Sequence, residues 1–340
     1  MIRSSVLRFS LALITGLAGC SKQDGVTLYC ALDQEHSEKL VKQYEQDTGL
    51  GVNARFDTEA SKTVGLVSAI LEESSRPRCD VFWNNELAQT VRLAQKGVIE
   101  PYDSPAAANI PAEFKDAQHR WTGFAARARV LIVNTQKLPD PATWPKSMWD
   151  LIDPKWKGNC AVARPLTGTT LTHFTTLRHV LGEAELKRFV DGLFANDVKF
   201  LQSNGATMRA VRDGEIAFAF TDTDDFHVAL EKGYPVGCVF PDQGEGQVGT
   251  MLIPNSVAII KGGPNPEAAK KLVDFIVSEK VEALLAAANS AQIPVRTGVT
   301  PPAAKSILPI GSFRMMKWDP EKTASDLEAA SKEFAQRFGG

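Results

Sequence analysis

Three carboxylates fall within four residues at Asp222, Asp224 and Asp225, directly after the apolar run Ile216 to Thr221. Like charges held this close repel one another unless a cation or hydrogen-bond donors sit among them, which points to a metal ion or an amine as their counterpart. The same residues also suit the opening of a helix over 226–231, with Thr223 or Asp224 as its cap. A second constellation, Thr167, Gly168 and Thr169, stands just ahead of a helical pattern over 171–181. Hydroxyls and backbone amides that open a helix make an anion seat, because unpaired N–H groups and the positive end of the helix dipole converge there. Ser61, after a strand pattern over 51–56, offers one more hydroxyl. An acidic wall with an anion-binding wall suits a metal with an accompanying anion, or a zwitterionic molecule.

His36, between Glu35 and Glu38, reads on its own as a loop or surface histidine. Glu86 precedes a helical pattern over 87–97, whose dipole it complements, and Asn84 beside it is an equal candidate for ligand contact. No Gly-x-Ser-x-Gly elbow, Walker loop or His-Glu-x-x-His pair occurs, which argues against an enzyme. The remaining catalytic alternative is a hydrolase that divides acid and base roles between Asp222 and Asp224.

The elements that must position these groups alternate between strand and helix. Val26 to Cys30, 51–56, 79–83, 128–133, 160–163 and 216–221 read as buried strands; 37–47, 63–71, 87–97, 171–181, 184–193 and 208–212 read as helices. A Pro- and Trp-rich connection over 138–157 reads as loop, and an apolar stretch over 251–260, interrupted at Pro254-Asn255, leads to paired helices over 266–288. Such alternation is α/β, and ligands of open α/β sheets bind beyond the strands' carboxyl ends, where the polar clusters lie. The chain divides into a lobe of residues 26–127 and 250–300 and a lobe of 128–249 and 301–340, joined by hinge strands around a cleft.

Arg3 and Arg8, the apolar run Phe9 to Leu17 and the small residues before Cys20 read as an export signal over 1–19, too short to span a bilayer. Leu17-Ala18-Gly19-Cys20 looks like a lipobox, which makes Cys20 the lipidation site. The remaining cysteines, Cys30, Cys79, Cys160 and Cys238, lack the close pairs of zinc sites, and their disulfide pairing stays open. A formal net charge of −2 on 340 residues gives no field that would recruit nucleic acid.

These motifs resemble the bacterial family 1 extracellular solute-binding proteins, particularly the ferric-ion-binding branch, over nearly all of the mature chain. Tyr29-Cys-Ala-Leu-Asp-Gln-Glu-His36 resembles the loop that ends in that branch's metal-ligand His, and Asp80-Val-Phe-Trp-Asn-Asn-Glu86 the motif that supplies its Glu ligand, here two residues later than in some relatives. Gly214 to Phe220 resembles the strand before its ligand loop. Thr167-Gly168-Thr169 corresponds to a Ser-Gly pair that holds phosphate or carbonate, and Asn204 to an Asn with the same duty. The resemblance implies a two-lobed periplasmic-binding-protein fold of type II, without enzymatic activity or required cofactor. It implies a monomer that hands its ligand to an ABC permease and ATPase, at the periplasmic or cell-surface side of a membrane it touches through the lipid alone. Carried over, the metal set is His36, Glu86, Asp224 and Asp225, for Fe(III) with phosphate or carbonate as the transported ligand. Asp222 and Ser61 would add ligand contacts. The branch has adjacent tyrosines where this chain has Asp224-Asp225, and tyrosinate is a strong anchor for ferric iron, so a phosphonate or phosphorylated organic solute stands as the alternative.

Overall fold

The computed structural model describes residues 25–57 and 64–339. Val26, Leu28 and Cys30 are β-formers buried on both sides, and the strand they build, β1 (Val26–Cys30), lies inside a sheet. Helix α1 (Gln34–Thr48) follows and stops at Gly49, whose left-handed φ of 69° lets its amide reach back to the Glu45 carbonyl. The chain then returns as β2 (Val52–Phe56), parallel to β1. After α2 (Val64–Glu72) comes β3 (Val81–Asn84), parallel to β1 on its other side, and then α3 (Ala88–Gln95) and the short β4 (Ile99–Glu100).

The next strand, β5 (Thr122–Asn134), is buried throughout and longer than its sequence pattern, because residues 122–127 continue it into the first sheet. The 138–157 connection holds three short 3-10 turns, in keeping with its composition. Beyond it lie β6 (Cys160–Ala163), α4 (Gly168–Leu181), α5 (Glu183–Ala195), β7 (Lys199–Leu201), α6 (Asn204–Arg212), β8 (Phe218–Asp222), α7 (Thr223–Glu231) and β9 (Val236–Val239). The chain then recrosses as β10 (Leu252–Ile260), continuous through Pro254-Asn255, where a register shift accommodates the proline. Helices α8 (Pro266–Ile276), α9 (Glu279–Ala287) and α10 (Pro320–Phe338) complete the fold.

Among the described residues the strands run in the order β2-β1-β3-β10-β5-β8-β6-β7, with β4 beside β10 and β9 beside β5. Strand β5 changes partners along its length. Thr122 to Ala128 pair antiparallel with β10, whereas Arg129 to Asn134 pair with β8 and β9. This is the two-lobed α/β architecture expected, with one apolar core built around Leu28, Trp83 and Phe124 and another around Phe174, Phe189 and Phe218.

Helix α10 does not belong to one lobe alone, as a division at residue 301 would have it. It packs on both α3 and α4, through Arg92–Glu328 (3.0 Å) on one side and Arg178–Glu333 (2.6 Å) on the other. Phe334 and Phe338 insert beside Phe174, which ties the helix to the second core by apolar burial, the larger force. No helix among the described residues is long and apolar enough to cross a membrane. Cys30, Cys79, Cys160 and Cys238 are free, and burial pushes the Cys30 and Cys160 thiols up to about 12.

Candidate binding site

The residues after β6, β7 and β8 converge on one small cavity of about 50 Å³ that opens to solvent. Its lining includes Thr167 to Thr170 from the opening of α4, Gln202 to Asn204 from the opening of α6, and Asp222, Asp224 and Asp225. From the other side come Asp33, Asn85 and Arg127. Gly168 adopts φ 58°, which turns the chain into α4, and Thr167 makes no side-chain cap there. The opening amides of α4 are therefore left uncapped by the residue best placed to cap them.

Asp222 is the knot that ties these elements. Its Oδ1 accepts from Arg129 (2.6 Å), and its Oδ2 accepts from Thr169 Oγ1 (2.6 Å) and Asn204 Nδ2 (3.0 Å). Asn204 donates also to Thr169 Oγ1 (2.8 Å) and accepts from Thr170 (3.1 Å). Burial by itself would raise the Asp222 pKa, but the positive charges of Arg129 and Arg127 and the Thr169 bond outweigh it and hold the carboxyl below its ordinary range.

Asp224 meets Arg127 Nη1 at 3.4 Å, and Asp225 accepts from Thr221 (2.7 Å) while its amide donates to Asp224 (3.0 Å). Ligand atoms of Asp222, Asp224 and Asp225 all lie within 4.8 Å of one another, close enough for one ion to bridge them. Arg127, only 4% exposed, also donates through Nη2 to the Asn85 carbonyl. Burial would lower its pKa, yet the charges of Asp224, Asp222, Asp33 and Asp225 raise it above the ordinary arginine value.

The sequence candidates thus divide. Thr167, Gly168, Thr169, Asn204, Asp222, Asp224 and Asp225 come together in the cavity lining. Glu86 does not line it: its carboxylate caps α3 by accepting from Ala88 (2.7 Å) and Gln89 (2.9 Å), and it takes further bonds from Asn84 (3.0 Å) and Thr172 (2.8 Å). Asn84 is likewise buried behind the cavity, donating to Glu86 and Thr90. His36 is half-buried in the first turn of α1, and the residue of that loop that reaches the lining is Asp33. Ser61 and Cys20 lie outside the described residues.

Sequence reasoning missed Asp33, Asn85, Arg127, Arg164, Gln202 and Ser203. Arg127 had a signal, since Ala-Arg-Ala-Arg-Val places two charges two residues apart, on one face of an otherwise apolar strand. None of the four tyrosines lines the cavity: Tyr29 and Tyr102 donate to Glu73 and Asp274, Tyr44 is buried against Phe275, and Tyr234 lies under Arg212.

Residues 81–323 match the profile of the bacterial extracellular solute-binding proteins. The chain belongs to that family. Members of the bacterial extracellular solute-binding proteins are non-enzymatic transport components. The chain is 29% identical over 322 residues to iron uptake protein A1 of Synechocystis sp., covering 92% of this chain and 86% of that one. It is 26% identical to a putative 2-aminoethylphosphonate-binding periplasmic protein of Salmonella typhi, over 69% of this chain and 68% of the relative. The crystal structure of iron-bound HitA from Pseudomonas aeruginosa superposes with a TM-score of 0.81 at 25% identity, covering 91% of this chain and 99% of that one.

Proposed function

We propose that this chain is the substrate-binding component of an ABC importer, and that its cleft captures a small organic solute with a phosphoryl or phosphonate group at one end and ammonium or hydroxyl groups at the other. One observation carries the reading: the openings of α4 and α6, with Arg164 beside them, share a single cavity with Asp33, Asp224 and Asp225. Helix openings and a guanidinium attract an anion, and carboxylates accept from an amine or hydroxyl. Thr167, Gly168, Thr169 and Asn204 would hold the anion, and Asp224 and Asp225 the opposite end. The likeness to the aminoethylphosphonate-binding relative supports this ligand class.

Capture proceeds by closure of lobe 26–127 with 250–300 onto lobe 128–249 about β5 and the β9–β10 crossing, a population shift driven by contacts the ligand makes in the closed form. After removal of residues 1–19 a lipid on Cys20 keeps the monomer at the membrane, on its periplasmic or outer side, where the closed form docks on the permease and its ATPase.

A second reading, ferric ion with phosphate or carbonate, is favoured by the close spacing of Asp222, Asp224 and Asp225 and by the iron-uptake relative. A thermal-shift titration separates the two, because a ligand that binds only the folded state raises its melting temperature. Stabilisation by 2-aminoethylphosphonate or a hexose phosphate, with none from ferric ion plus phosphate, is the expected result; the reverse pattern sinks the organic-solute reading.

A further inference from the structure

Among the described residues, the acidic cluster has a cation of its own. Asp222, Asp224 and Asp225 offer oxygens within 4.8 Å of one another, which by itself suits a metal ion. The guanidinium of Arg127 stands at this cluster, 3.4 Å from Asp224 Oδ2, lining the same cavity. It is held there from two sides, since Nη2 donates to the Asn85 carbonyl and the side chain rises from the buried strand β5. An arginine in a protein does not lose its proton, so this charge is permanent.

The carboxylates are also engaged by donors. Arg129, Thr169 and Asn204 occupy both oxygens of Asp222, and Thr221 donates to Asp225. A metal ion entering the cluster would meet a fixed cation beside Asp224 and compete with these donors for the carboxylate oxygens. With Asp33, Asp222, Asp224 and Asp225 set against Arg127, Arg129 and Arg164, four carboxylates face three guanidiniums, a balance close to neutral that suits a zwitterion or a solute of small net charge.

We propose that Arg127 is a built-in counter-ion that takes the place of a metal in this cleft and restricts its cargo to metal-free organic phosphoryl or phosphonate solutes. The proposal rests on the reading that this cavity is the ligand cleft. Removing the charge while keeping the bulk should therefore convert the cluster into a cation site.

The test compares the full mature chain with Arg127→Met and Arg127→Lys by equilibrium dialysis against terbium(III), a trivalent cation that prefers oxygen ligands, and by calorimetry with 2-aminoethylphosphonate and a hexose phosphate. Arg127→Met is expected to bind terbium at least about ten-fold more tightly than wild type, because an opposing charge has been lifted from three carboxylates. It should bind the phosphoryl solute at least about ten-fold more weakly, since the cleft loses one of the positive charges that balance its carboxylates and attract an anion. Arg127→Lys, which keeps the charge, should retain the wild-type order of preference. Arg127→Gln, still able to donate to the Asn85 carbonyl, replaces the Met variant if circular dichroism shows the latter unfolded. Terbium binding by wild type as tight as by the charge-free variant overturns the proposal. Failure of every phosphoryl solute to bind wild type would instead remove the proposed function, and the terbium comparison would still decide the role of Arg127.

Discussion

Thr172 on α4 donates its hydroxyl to the Glu86 carboxylate at 2.8 Å, and that same carboxylate accepts the amides of Ala88 and Gln89 that open α3. A residue that resembles a metal ligand in sequence is here a helix cap bonded across to the neighbouring helix. Replacing Glu86 by Ala should lower unfolding stability by about 2 kcal/mol, the upper part of the range for a lost N-cap, because buried donors are left without an acceptor. Urea denaturation of the ligand-free protein would measure it, and a change under a few tenths would contradict the capping role.

Glu86 and Asp222 should respond to pH in opposite directions. Burial raises the Glu86 pKa, so its folded-state value exceeds the unfolded one, and its contribution to stability is present at acid pH and lost as pH rises through the folded value. Glu86→Gln should accordingly gain on wild type as the pH is raised.

For Asp222 the folded pKa is depressed. Its contribution is fully present above the unfolded value near 3.8 and is lost as pH falls through the lower folded value. Asp222→Asn strands the Arg129 charge in the core and should cost about 3–5 kcal/mol near neutrality. The gap between the two melting curves should narrow in acid; a pH-independent gap would mean that the ion pair is not what Asp222 contributes.

The opening of α4 can be tested through its backbone. A Cβ at Gly168 meets nothing within 4 Å, so Gly168→Ala adds no clash, but φ 58° strains any L-residue by about 1–2 kcal/mol. The variant should lose stability by roughly that amount and bind a phosphoryl solute more weakly, whereas Thr169→Ala should weaken binding and also loosen Asp222. Calorimetry on both, beside wild type, checks the anion seat, and unchanged affinity in both would remove α4 from it.

Phe334 is buried against Phe174 and Phe338 on the inner face of α10. Truncation to Ala should cost about 3–5 kcal/mol by lost burial and the cavity left behind. A loss under 1 kcal/mol would show that α10 is held by its surface ion pairs instead.

Much of the scaffold was legible in the sequence because buried strands read as short apolar runs: 26–30, 160–163 and 216–221 each overlap an observed strand. The loops after them carry the polar clusters, and Thr167 to Thr169, Asn204, Asp222, Asp224 and Asp225 line one cavity. What stayed hidden depends on three-dimensional neighbours. Glu86 and Asp33 both follow strands of the first sheet, and no local pattern says that one turns inward to cap α3 while the other reaches the cleft. The alternation of Arg127 and Arg129 marks one charged face of an apolar strand without saying what it faces, and β7 and β9 are three and four residues long, too short for period-two alternation to declare itself. The partners of α10, α3 and α4, lie far away in the chain, and nothing in residues 320–338 names them.

That helix has a mechanical consequence. By packing on both α3 and α4, α10 links the helices that follow the first and second sheets by a contact separate from the strand crossings. Any parting of α3 from α4 would have to carry α10 along with one of them and break its ion pairs to the other, so the helix acts as a strap as well as a filler.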